Sequence, residues 1–153
     1  MSATVTLRVY TGTNAGTESA AQSAIALLPT DSASTTPAAI TKGANSYEKW
    51  MRLSLDAAAG TTLTNFWLQR DGDLPTGVTV KFGVTDTAAT PVNTTSLVAT
   101  TTMADARRYI FDTTEYATTG DKTRWIVVQG QVAADADSGA LDQQVFTAGY
   151  AES

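Results

Sequence analysis

The sequence predicts an all-β protein: a single antiparallel β-sandwich over residues 1–153, Ig-like or jelly-roll-like, with about seven to nine strands and at most one short helix. Three observations carry this. Apolar and polar residues alternate in several runs of strand length. Turn signals built from Gly, Asp, Asn and Pro separate those runs. The regular succession of helical and strand patterns that a parallel α/β sheet requires is missing.

The elements follow in order. Thr4 to Tyr10 alternates, with Val5, Leu7 and Val9 on one face and Thr6, Arg8 and Tyr10 on the other, as a half-buried strand does. Thr11 to Thr17 is a Gly-containing turn or loop. Glu18 to Leu28 admits two readings. Its Ala residues favour a short helix ending before Pro29, and its AIALLPTD portion equally suits an irregular extended segment. Residues 29–45, rich in Thr, Ser and Ala, read as a long surface loop.

Tyr47 to Leu55 is a strand with Tyr47, Met51, Leu53 and Leu55 on one face and Trp50 beside Arg52 on the other. Thr62 to Arg70 is a strand in which Phe66 and Leu68 oppose Trp67. DGDLPTG at residues 71–77 is a turn, and Val78 to Val84 is the clearest alternating strand. Short strands are expected at Leu97 to Thr102 and Arg107 to Asp112. Lys122 to Val132 has apolar groups on both faces and should lie centrally. Gln143 to Tyr150 is the last strand, before a free tail. The expected core is Val5, Leu7, Val9, Met51, Leu53, Phe66, Leu68, Val80, Phe82, Ile110 and Val127.

Composition narrows function. The chain has no Cys and no His, which removes disulfides, the usual metal ligands and the commonest general base. An absence of Cys suits assembly in a reducing cytoplasm. A net charge of -5 argues against nucleic acid as partner, and the one adjacent basic pair, Arg107-Arg108, reads as a solvated strand edge. No apolar run approaches the ~20 residues of a membrane span, and the N-terminus lacks the pattern of a signal peptide, so no membrane association is expected.

Candidate chemistry is sparse. Asp135, Asp137 and Asp142, around a Ser-Gly turn, weakly resemble a Ca2+ loop, but the spacing and terminal Glu of an EF-hand are missing, and a plain hairpin turn accounts for them better. Asp71 and Asp73 sit on one turn, where two carboxylates do not face each other across a cleft. Tyr47, Trp50, Phe66 and Trp67 would suit sugar stacking if exposed, although strand alternation places most of them inside. No glycine-rich nucleotide motif occurs and no His is present to activate a nucleophile, so neither an enzyme nor a cofactor is expected.

The stretch Tyr47–Val92 carries an aromatic-basic strand (Tyr47, Lys49, Trp50, Arg52), an FW strand (Phe66, Trp67), a D-G-x-L-P-x-G-V turn (Asp71, Gly72, Leu74, Pro75, Gly77, Val78) and an FG-x-T strand end (Phe82, Gly83, Thr85). In this third of the chain it resembles small β-sandwich structural proteins encoded in the head-gene region of tailed bacteriophages. The resemblance implies a virion component assembled in the host cytoplasm: a capsid decoration or cement protein bound outside the lattice of the major capsid protein. It would self-associate, for example as a trimer. A neck or tail part, or a carbohydrate-binding module used in host adsorption, is the alternative. Contacts are expected through the segment Thr11–Asn45 and the two chain ends rather than a concave pocket, with Thr35, Thr36, Pro37, Ile40, Lys42, Trp50 and Arg52 as the candidate interface residues.

Overall fold

A computed structural model describes residues 2–58, 60–136 and 145–152. Nine strands are present among them: β1 (Thr4–Thr11), β2 (Thr17–Gln22), β3 (Lys49–Ala57), β4 (Leu63–Asp71), β5 (Val78–Thr85), β6 (Thr101–Thr102), β7 (Arg107–Asp112), β8 (Trp125–Val132) and β9 (Val145–Glu152). They form a six-stranded sheet of order β2-β1-β3-β8-β5-β6 and a three-stranded sheet of order β7-β4-β9. Every strand pair is antiparallel.

The period-2 patterns decide what lies between the sheets. Val9, Met51, Leu53, Val80, Phe82, Ile126 and Val128 of the large sheet meet Phe66, Leu68, Phe111 and Phe146 of the small one in a single apolar cluster. Ile25, Leu27 and Ile40, from connecting segments, complete it. Val5 and Leu7, at the margin, are half-buried. The two-faced strand β8 lies between β3 and β5, as its sequence requires.

The large sheet is also covered on its outer face. Tyr10, Trp50 and Val127 stand side by side there by register. Trp125 meets Tyr10 and Trp50 edge to face, with ring centroids 4.8 and 5.7 Å apart. The cover is the segment 86–100. Its Val98 carbonyl lies so close to Gly83 that a Cβ at that position would collide with it. The segment is fastened by two buried polar side chains. Glu48 accepts hydrogen bonds from Trp50 Nε1 (3.2 Å), the Val92 N–H (3.2 Å) and the Ser96 hydroxyl. Gln129 accepts from the Ser96 N–H (2.9 Å) and donates to the carbonyls of Thr94 (2.8 Å) and Ser46 (3.0 Å).

Four expectations are corrected. Glu18 to Leu28 holds no helix. Its first part is β2, paired with β1, and Ile25–Leu28 is buried and not helical. Pairing and burial outweigh the helix preference of Ala, which amounts to a few tenths of a kcal/mol per residue. A single 3-10 turn, Thr13–Ala15, is the helical element of the described residues. The expected strand at Leu97 to Thr102 shrinks to β6, and Leu97 is 94% exposed. Ala151 and Glu152 belong to β9 rather than to a free tail. Ile110 points outward at 60% exposure, because Tyr109 and Phe111 take the inward positions of β7 against Phe82 and Phe66.

That phase is testable. Phe111→Ala should cost about 3–5 kcal/mol in urea unfolding, whereas Ile110→Ala should change stability by less than about 0.5 kcal/mol. The opposite ranking would place β7 one residue out of register.

Candidate functional site

Two exposed surfaces stand out once the interior is accounted for. The first is the middle of the 29–45 connection. Its ends are held firmly. Asp31 Oδ2 accepts from the Gly12 N–H (2.8 Å), the Ser32 carbonyl accepts from Lys49 Nζ (2.5 Å), and the Ala33 carbonyl accepts from Gln22 Nε2 (2.7 Å). Farther on, Ile40 is buried at 1% exposure, the Gly43 N–H donates to the Val132 carbonyl (2.9 Å), and Asn45 pairs with Gln131. Between these anchors Ser34–Ala39 is exposed throughout. Ser32 and Ser34 side chains accept from the N–H groups of Ser34 and Thr36 (both 3.1 Å), which shapes the segment as successive hydroxyl-backed turns.

Of the residues expected at an interface, Thr35, Thr36, Pro37 and Lys42 are therefore on the surface. Ile40 and Trp50 are core residues, each at 1% exposure. Arg52 is half-buried and engaged within the chain: its guanidinium lies 4.7 Å from the Trp125 ring centroid and its Nε donates to the Thr123 carbonyl (2.6 Å). Alternation correctly sets Trp50 apart from Met51 and Leu53, but the face it joins is closed by the chain itself.

The second surface is the outer face of the small sheet. Trp67 stands at its centre, between Ile110 on β7 and Gly149 on β9. The bare backbone of Gly149 lets the indole lie against the sheet, since a Cβ there would collide with the ring. The Arg108 guanidinium lies 4.0 Å from the Trp67 ring centroid. A bulge in β4 with Asn65 at φ 51° shifts the register beside Trp67. Asn65, Trp67, Arg108, Ile110, Tyr150 and Ala151 thereby line a hollow of about 320 Å3. The arginine pair that reads as a solvated edge is on the edge strand of this sheet, and Arg108 joins the face. Ile110, the outward residue of a Tyr-Ile-Phe run, is the signal that could have marked the surface.

The acidic candidates do not converge. Asp135 is exposed, while Asp137 and Asp142 lie outside the described residues. Asp71 accepts from Gln69 Nε2 (2.8 Å), and Asp73 is exposed on the turn. Among the described residues, no group of three or more acidic side chains is placed to hold a metal ion. Comparison with protein-family models, curated proteins and solved structures finds no match to this chain.

Lys49, at the anchored base of the first surface, has an altered titration. Burial lowers its ammonium to about 8, an effect only partly offset by the Asp31 carboxylate. An unfolded Lys titrates near 10.4, so between these values the unfolded chain binds more protons than the folded one. Stability should therefore rise as pH climbs from about 8 towards 10, by up to about 3 kcal/mol when the full shift is relieved. Tyr10 and Tyr116, both raised by burial, act with the opposite sign only above pH 10. Urea midpoints measured from pH 7 to pH 9.5 should rise for the native chain and stay flat for Lys49→Met. A flat native profile would show that the amine is solvated.

Proposed function

We propose that this chain is a non-enzymatic structural protein of a tailed-bacteriophage virion, a decoration or cement protein seated on the outside of the major capsid protein lattice. The observation that carries the reading is the exposed segment Ser34–Ala39, held at both ends by Asp31, Ser32, Ile40 and Gly43. The likeness of residues 47–92 to phage head proteins supplies the context.

The physics of such a segment suits a lattice contact. Its residues are Ser, Thr, Pro and Ala, with no charge to desolvate and little side-chain entropy to lose on ordering. Anchored ends limit the backbone entropy still to be lost when it docks. One copy would bind weakly, and copies joined in an oligomer would gain avidity from the repeating lattice. The sugar-binding alternative has less to work with, because Trp50 is interior and Trp67 is occupied by Arg108 and Gly149.

Co-sedimentation with assembled capsids tests the proposal, combined with proteinase K digestion followed by mass spectrometry. The protein should appear in the capsid pellet. Free protein should be cut within residues 34–39, and capsid-bound protein should resist at that place. Absence from the pellet, or equal cleavage in both states, would refute a capsid contact through this segment.

A further inference from the structure

The hollow on the small sheet has the chemistry of a docking face that is separate from the Ser34–Ala39 segment. Its aromatic, cationic and apolar parts are each built into position. Gly149 clears the space for the Trp67 indole, Arg108 covers that indole, and Ile110 stands beside it at 60% exposure. An exposed Ile beside a half-buried Trp on this face is not needed for the core, which Tyr109, Phe111, Phe66 and Leu68 supply from the opposite face. Trp and Arg are also the residues that most often dominate binding energy at protein interfaces.

Charge identifies the kind of partner. Arg8, Lys122 and Arg124 are all paired with carboxylates of this chain. Arg52, Arg70 and Lys49 donate to backbone carbonyls. Among the described residues Arg107, Arg108, Lys42 and Lys81 have no ion pair, and of these the Arg108 guanidinium lies over the Trp67 ring and that of Arg107 over the Tyr109 ring. The nearest acid in sequence on this face of β4, Asp71, is engaged by the Gln69 amide. In a chain with 15 acidic and 10 basic residues, the Arg108 guanidinium thus has no carboxylate partner among the described residues and shares its face with the exposed Ile110, whereas Arg107 falls on the opposite face with Tyr109. Stacking on the indole holds the Arg108 guanidinium while leaving its N–H donors able to grip a carboxylate.

We propose that this face binds an extended segment of a partner protein in which a Glu or Asp carboxylate neighbours a branched apolar side chain. The carboxylate pairs with Arg108, and the apolar group packs on Ile110 and the edge of Trp67. The edge strand β7 offers its outer backbone groups to such a segment. Charge disfavours two other occupants. A second copy docked face to face would bring two Arg108 guanidinium groups into one interface, and a nucleic acid would meet a chain of net charge -5.

The test is an NMR titration of the full 15N-labelled chain with a synthetic peptide, acetyl-Ala-Glu-Val-Glu-Ile-Ala-amide. The same peptide with Gln in place of both Glu residues and an eight-nucleotide oligothymidylate serve as comparison ligands. The acidic peptide should shift the Trp67 indole N–H and the Ile110 amide saturably. Binding should weaken by about tenfold or more with the Gln peptide or with Arg108→Gln, and the variant should keep the native melting temperature. No shift with the acidic peptide, or shifts that survive Arg108→Gln unchanged, would overturn the proposal. So would a response to the oligonucleotide alone. Self-association in sedimentation, abolished by Ile110→Ser and unaffected by peptide, would assign the face to a second copy instead.

Discussion

The fold depends on closing both faces of one sheet when only one of them has a partner sheet. Met51, Ile126 and Val128 look inward to β4, β7 and β9, while Trp50, Trp125 and Val127 look the other way and would otherwise face water. A buried aromatic cluster on the second face requires a cover, and segment 86–100 provides it without regular structure of its own. A segment rich in Thr and Ala has little apolar surface with which to adhere. Its attachment is polar instead. Glu48, 6% exposed, gathers three donors from Trp50, Val92 and Ser96, which is the condition under which a carboxylate tolerates burial. Gln129, fully buried in the middle of β8, completes the attachment through Ser96, Thr94 and Ser46. Gly83 allows the close approach.

This arrangement directs attention to the surfaces outside it. With both faces of the large sheet occupied by the chain itself, the aromatic-basic strand of residues 47–55 is scaffold. It contributes Trp50 and Arg52 to internal packing, and its Lys49 holds the base of the 29–45 connection. The exposed segment Ser34–Ala39 and the Trp67 face are then the two proposed contact regions. One is uncharged and made of small residues; the other is aromatic and cationic. A protein that joins subunits on a lattice would use regions of such unlike chemistry to recognise different neighbours.

The strands were legible where alternation was strict. Val78–Val84 and Thr4–Tyr10 show their two faces residue by residue, and the apolar Trp125–Val128 run announces a strand buried on both sides. Ambiguity arose where neighbouring residues were all apolar. In Tyr109-Ile110-Phe111 either phase is amphipathic, and the larger aromatic pair took the core. The 29–45 stretch looked uniformly loop-like because small residues dominate it; its single branched apolar residue, Ile40, was the hint that it is fastened to the core. The cover over Trp50 was beyond composition. Thr, Ala and Pro in residues 86–100 read as loop, and only the odd placement of Glu48 and Gln129 among buried neighbours hinted that polar partners must arrive from elsewhere. The Trp67–Arg108 pairing depends on cross-strand register, which a single sequence does not display.

Hydrogen exchange read by mass spectrometry tests the covered-sheet arrangement most directly. Amides of residues 92–99 that meet Glu48 and Gln129 should exchange slowly, nearer to β8 than to Ser34–Ala39. Glu48→Ala should release them while β5 and β8 stay protected. Fast exchange of 92–99 in the native protein, at the rate of Ser34–Ala39, would contradict the account and return Trp50 to the exposed surface.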